Sequence, residues 1–438
     1  MTDSPPQSLS KRLSVAITLL ASLCVHLFLT RMPDTMGDVG MYAAWAESIE
    51  RYGFDGAYFS SFAARFPIDY PPVFPYLLGL LSWLRGLLDA SPLGPASALQ
   101  FWIPFPAALA DVATAFLVYV TVKRIAPWRT AYLSMLIYAF NPAVLFATAY
   151  WGVMDSLNIF FAVLALVFLD QRKPELSWAA ITLGVFTKPF AAVIALVVAV
   201  ITLRQYGWAR SLRCAGVSLG LSILVLSPFL AAHSPAETVY RVMFDFGNMP
   251  YVTSNAHNLW WLLTGGVPWV SVYSPALGSL SYQAVGMLLF FPFWAMVCAA
   301  IWRSPGLVSK YLLCALLSFG FFMVITHMHE NHLFTALPLL AIVAVTNRPL
   351  AWVYAGASLT LLTNMLLHDP YLVTEFLYGL RYDPRQLMSF TFAPAGRISA
   401  PHLWMTRADA LANLGLFAYL AFLALRQVRP SAHTPSPG

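Results

Sequence analysis

Charge is what this chain has least of. Asp, Glu, Lys and Arg make up 10% of its 438 residues, against about 25% in soluble proteins. So few charges cannot clothe a water-soluble globule of this length, and a soluble enzyme is excluded. Cysteine is almost as scarce. Cys24, Cys214, Cys298 and Cys314 all lie in apolar runs, so no disulfide framework is implied. Alternating ten-residue strands are missing, which excludes an outer-membrane-type barrel. Lysine is rare beside arginine, 5 against 20, a bias typical of high-GC bacterial genomes. The net charge of +6 comes as small clusters between apolar runs. That is the pattern of membrane loops, not of a nucleic-acid surface.

Apolar sequence dominates: 59% of the residues are hydrophobic and the mean hydropathy is +0.68. Apolar runs recur at 13–30, 98–122, 130–149, 154–169, 177–187, 190–203, 214–231, 281–302, 311–326, 333–346, 350–367 and 408–425; most are close to what about 30 Å of hydrocarbon requires, while 177–187 and 190–203 are unusually short. The first resembles a signal sequence, but no small-x-small cleavage site follows it, so it reads as a retained helix. The expected fold is all-α integral membrane with about 12 transmembrane helices.

One further apolar stretch, 70–88, decides the orientation. If it does not cross, the cytoplasmic loops collect 15 of the 25 basic residues, among them Arg124, Arg129, Lys173 and Arg213, with few acids. If it crosses, those clusters move outside, against the positive-inside rule. Pro71, Pro72 and Pro75 at its start agree with the first arrangement, because they remove backbone donors that lipid cannot replace. The stretch therefore reads as a helix on the outer face, within a long external loop 31–97. The core is 13–346, with C-terminal helices 347–428 and an external loop 368–407. Residues 1–12 and 429–438 are cytoplasmic tails.

The outer side then gathers the polar motifs. Asp34 and Asp38 follow the first helix. In a helix over 38–52, Tyr42 and Trp45 share the face of Asp38. Asp38 reads either as a general base beside sugar-packing aromatics or as a helix N-cap. Asp69, before Tyr70-Pro-Pro, is a binding residue or a turn starter. Asp155, after Trp151, is an intramembrane functional acid or an interfacial cap. Lys188, the only outer lysine, interrupts two short apolar runs at Pro189, and either holds a phosphate or snorkels. "SNAHNLWW" supplies Asn255 and His257. "HMHENH" supplies His327, His329 and Glu330. It looks like a metal motif but lacks the ligand carboxylates, so an anion or sugar-hydroxyl contact is preferred and no metal is assigned. Asp111 is read as an interhelical hydrogen-bonding group.

Taken in order, "GDVGMYAAW", "DYPPVFPYLLG", "NPAVLFATAYWGVMDS", "KP", "NAHNLWW" and "HMHENHLFTALPLL" resemble the GT-C-fold glycosyltransferases that use polyprenyl-phosphate sugars. The nearest resemblance is to the dolichyl-phosphate-glucose-dependent glucosyltransferases of N-glycan precursor assembly and their prokaryotic relatives, over roughly 15–345. The resemblance implies a GT-C architecture and a non-cytoplasmic active site. It also implies an inverting, metal-independent reaction with Asp38 as general base. The family's DYPP acid falls on Asp69, and its His-x-His-Glu motif on His327, His329 and Glu330. The family often places Lys or Arg after that motif, where this chain has Asn331, and Lys188 is the candidate replacement.

The expected function is transfer of one hexose from a polyprenyl-phosphate donor to a hydroxyl on a lipid-linked or envelope glycan acceptor. It would occur at the outer face of a bacterial inner membrane, with no cofactor. Lys188, His327, His329, Glu330, Asp69 and Asp155 are the expected donor contacts. Asp34, Tyr42, Trp45, Tyr70, Trp151, Asn255 and His257 are the expected acceptor or sugar contacts. The alternative is a multi-spanning lipid or sugar-lipid flippase without transferase activity.

Overall fold

The computed structural model describes residues 5–32, 37–60, 67–89, 102–245, 250–304, 306–377, 381 and 400–428. Helices account for most of them. They are α1 (Pro5–Leu29), α2 (Asp38–Phe59), α3 (Val73–Asp89), α4 (Phe105–Val122), α5 (Trp128–Ala139), α6 (Asp155–Asp170), α7 (Pro174–Thr187), α8 (Ala192–Leu230), α9 (Tyr282–Arg303), α10 (Leu307–Val324), α11 (Leu337–Ala344), α12 (Arg348–His368) and α13 (Ala400–Val428).

Among the described residues, eight helical stretches are long and apolar enough to cross a bilayer. This is a multi-pass α-helical membrane protein. The helices α6 and α7, at 16 and 14 residues, and the stretch His332–Ala344 are shorter and packed among the long ones. α11 is buried at every position, as expected of a helix that is apolar all round.

The interruption expected over 204–213, between the runs 190–203 and 214–231, is present but shorter than expected: within Ala192–Leu230 two helical stretches meet at Gly207, with φ 72° and ψ −180°. Glycine lacks the Cβ that disfavours positive φ, so one residue does what a loop was expected to do. The stretch 70–88 forms α3, which is not among the spanning helices. Its Phe74, Leu78 and Ser82 are buried while Leu80 and Trp83 are exposed. It packs on α2 and α7, with Tyr76 donating to the Val225 carbonyl at 2.6 Å and Ser82 to Glu50 at 3.0 Å.

Polar contacts sort into two ends. At one, Lys310 and Tyr311 bond to Asp170, Arg124 donates to the Asp170 carbonyl and Arg210 pairs with Glu175. All of these except Tyr311, which opens the run 311–326, were assigned to cytoplasmic loops. At the other end lie the contacts among residues assigned to the outer face. The sequence-derived topology thus brings together residues that do meet.

Candidate active site

α2 begins at Asp38, behind Gly37 in the left-handed region at φ 87°. Gly37, not Asp38, takes the N-cap position, so the cap reading of Asp38 is corrected. A carboxylate in the first helical turn faces the positive end of the helix dipole. It accepts a hydrogen bond from the indole Nε1–H of Trp151. Trp151 is aimed there by the end of its own helix. After Asn141 caps a new turn through the Ala143 amide, the backbone widens to a π-helix at Phe146–Trp151 and stops at Gly152, φ 83°. Such wide turns are common where a side chain must be re-aimed.

Three residues beyond Gly152, Asp155 opens α6, behind Met154 in the N-cap position. One of its oxygens accepts from Lys188 Nζ at 2.5 Å, and the other from Asn331. Lys188 sits at the break between α7 and the 3₁₀ turn Pro189–Ala191, in extended backbone. Its ammonium also lies 5.3 Å from the Tyr70 ring centroid and 4.8 Å from that of Phe190. The Nε2 atom of His332 is 3.3 Å away.

The "HMHENH" segment is fixed by a short parallel pairing of Met328–His329 with Thr253–Ser254. His327, at φ 63°, donates its amide to the carbonyls of Tyr251 and Val252. The His329 amide donates to His332 Nδ1 at 3.0 Å. Because Nδ1 is an acceptor, a neutral His332 carries its proton on Nε2. Nε2–H and the Lys188 ammonium are then two donors converging on one place, the arrangement that an anionic oxygen satisfies. Among the described residues, no three His, Cys, Asp or Glu side chains are grouped to hold a metal ion.

Electrostatics separates the acids. Burial pushes Glu330 up to about 8, with the Asp38 charge adding to it and a hydrogen bond with Asn255 opposing. Burial also raises Asp69 to about 6, against the pull of Lys188 and Arg241. His329 falls to about 3 through burial and the charges of Lys188 and His327, and His327 is lowered by burial. Glu330 Oε2 and Asp69 Oδ1 are buried, and neither has a hydrogen-bond partner among the described residues. Such atoms are costly in a protein interior and suit a ligand hydroxyl.

Several expectations need correction. Tyr42 and Trp45 do share a face, but they are 0% and 1% exposed. They pack with Tyr70 and Phe74, so they form the site's wall rather than an open sugar platform. His257 faces elsewhere: its Nδ1 bonds Asp409 at 2.8 Å and its Nε2 meets His368 at 2.9 Å. Only its neighbour Asn255 reaches the site, at φ 61° and bridged to His329. Asn364 holds this stretch by its backbone, accepting from the His257 amide at 3.0 Å and donating to the Asn255 carbonyl at 2.8 Å. Asp34 lies outside the described residues.

Three participants were not assigned a site role from the sequence. Asn331 and His332 were weighed only as parts of a metal-like motif, and no role was left to them once the metal was set aside. Arg241 donates to the carbonyls of Tyr58 and Ile68 at 2.8 and 3.2 Å, tying the Asp69 turn to α2. It is the only basic side chain apart from histidine in 232–280, the kind of isolation that singled out Lys188. Compared with known proteins, the chain matches no family model and no curated sequence; the geometry of this cluster carries the functional reading.

Proposed function

We propose that the protein is a GT-C-type glycosyltransferase, with twelve crossings and this cluster at the non-cytoplasmic face. It would move one hexose from a polyprenyl-phosphate donor to an acceptor hydroxyl, with inversion and without a metal. The observation that carries the reading is the convergence at one end of the bundle of Asp38, the Lys188/His332 donor pair and two buried carboxyl oxygens awaiting partners. Asp38, held by Trp151, takes the acceptor proton as the acceptor oxygen attacks the anomeric carbon from the face opposite the leaving phosphate. The C1–O bond breaks and its electrons leave with polyprenyl phosphate, beside Lys188 and His332. Glu330, kept protonated by burial near neutral pH, donates a hydrogen bond to a sugar hydroxyl, and Asp69 accepts one.

The test is transfer from radiolabelled polyprenyl-phosphate hexoses into a native lipid extract by purified protein in nanodiscs. Asp38→Asn should lower turnover by about 10²–10⁴-fold, the usual contribution of a general base, while donor binding persists. Turnover unchanged in that variant would refute the base assignment.

The buried pair His26–Asp111 at 3.4 Å, with Tyr138 donating to Asp111 at 3.1 Å, favours a second reading, a lipid flippase, since ionisable groups within spans often mark transport paths. A flippase would move fluorescent lipid between leaflets without forming a glycosylated product, and would be more sensitive to Asp111→Asn than to Asp38→Asn.

A further inference from the structure

α1 is only loosely held: 22% of its apolar window is covered by protein. One edge is pinned to α5, where Thr18 meets the Tyr132 hydroxyl at 2.6 Å and Ser22 donates to the Ala139 carbonyl at 3.1 Å. Along its contact with α4, a groove of about 500 Å³ remains open. Its walls are apolar, including Leu19, Phe116 and Val120, and one mouth is ringed by Arg12, Lys123 and Arg124.

The charge at that mouth is unbalanced. Among the described residues, the carboxylates at this end are engaged elsewhere, Asp170 by Lys310 and Glu175 by Arg210. Among the described residues, neither Arg12 nor Lys123 has a carboxylate partner. Lys123 Nζ stands 5.6 Å from the Tyr119 ring centroid, and Lys11 Nζ 5.8 Å from that of Trp128. An apolar slot with a cationic mouth at a helix-bundle end matches one molecule in both its parts: a lipid with an acyl chain and an anionic phosphate headgroup. A soluble anion would leave the slot unfilled, and a neutral lipid would leave the cations unmatched.

We propose that the α1–α4 groove is a binding site for one anionic phospholipid, whose acyl chain lies against Leu19, Phe116 and Val120 and whose phosphate meets Arg12, Lys123 and Arg124. It lies at the end of the bundle opposite the candidate active site and is independent of the transferase reading. The lipid completes the packing of α1, so its binding stabilises the folded bundle by mass action.

The test is native mass spectrometry and thermal unfolding of the full chain in detergent, titrated with phosphatidylglycerol, phosphatidylcholine or inorganic phosphate. Wild-type protein should retain one phosphatidylglycerol in preference to phosphatidylcholine and unfold at higher temperature with it. Inorganic phosphate should give no such shift. Arg12→Gln/Lys123→Gln should weaken phosphatidylglycerol by about 25-fold, roughly fivefold per cation near a lipid surface, with phosphatidylcholine unchanged. Ala16→Trp, which fills the slot and leaves the cations, should weaken binding as well. Equal retention of both lipids, a shift with inorganic phosphate alone, or undiminished phosphatidylglycerol binding in the charge variant would overturn the proposal. So would a wild-type dimer that disappears in the Ala16→Trp variant without any lipid adduct, which would give the groove to a second copy of the chain.

Discussion

The pair Lys188–Asp155 offers a test in which stability and function separate. The two side chains are 12% and 1% exposed and 2.5 Å apart. At that distance an effective dielectric near 20 gives an attraction of about 6–7 kcal/mol, offset by a desolvation cost of several kcal/mol per ion. The net worth of the pair is therefore small, but removing one partner strands the other charge. Lys188→Met should destabilise the protein by about 3–5 kcal/mol, because among the described residues Asp155 keeps only the Asn331 amide. Asp155→Asn added to it should restore most of the loss, giving a large coupling in the double-mutant cycle. Unfolding in graded SDS measures all four proteins. Donor binding should follow a different pattern: it should stay lost in the refolded double variant, since the cation facing the phosphate is gone. A Lys188→Met variant less than about 1 kcal/mol weaker than wild type would refute the stranded-charge argument. Full donor binding by the double variant would refute the phosphate role of Lys188.

The other expectations are simpler to state. Trp151→Phe removes the indole donor that orients Asp38. Turnover should drop about 10²-fold, the cost of a misplacement near 1 Å, at unchanged donor affinity; undiminished turnover would show that Asp38 needs no such hold. Gly152→Ala drives a Cβ into Val39 Cγ2 at a residue with φ +83°. The variant should lose about 1–3 kcal/mol, and Val39→Ala should restore only the steric part; full restoration would mean the backbone is unstrained there. Glu330, with its native value near 8, binds more protons folded than unfolded between about pH 4.5 and 8. Its contribution to stability is therefore fully present below that window and is lost as pH rises through it. Glu330→Gln should flatten the fall in stability across that window, measured by unfolding at pH 5 and pH 8; an unaltered slope would place the proton elsewhere.

Much of this arrangement was legible because membrane insertion imposes simple rules. Apolar runs had to become helices, and basic clusters had to gather at one end, so Arg124, Asp170 and Lys310 could be grouped before their contacts were known. The prolines of 71–75 could be read as a helix start because a missing donor is tolerable only there. Side-chain direction was less legible. Periodicity put Tyr42 and Trp45 on the face of Asp38, but it could not say that Phe74 of α3, and Tyr70 in the turn before it, would cover that face. Nor could it separate His257 from Asn255, two residues apart. The left-handed backbone at Asn255 turns one toward His329 while the other is held by Asp409 and His368. The break at Gly207 was legible in position, through the basic cluster 204–213, but not in extent: nothing in the composition says that a single residue of positive φ makes the whole interruption.

Charge balance in the site also bears on how the proposed reaction would be driven. Before donor binds, Asp155 neutralises Lys188, and His332 stands beside it with its second nitrogen already engaged by the His329 amide. A donor phosphodiester carries one negative charge. As the sugar departs, charge builds on the phosphate oxygen that becomes a monoester. An ammonium shared with Asp155 binds the weaker anion modestly and the growing one better, so its interaction strengthens along the reaction coordinate. That difference, not ground-state affinity, lowers a barrier. On this view the acid beside Lys188 is not a competitor left over from folding. It holds the ammonium in place while limiting its grip on the intact donor, and Asp155→Asn alone should tighten donor binding while raising turnover little or lowering it. Tighter donor binding together with a proportionate gain in turnover would mean that Lys188 acts equally on ground and transition states, and that the charge built on the leaving phosphate is met by other groups.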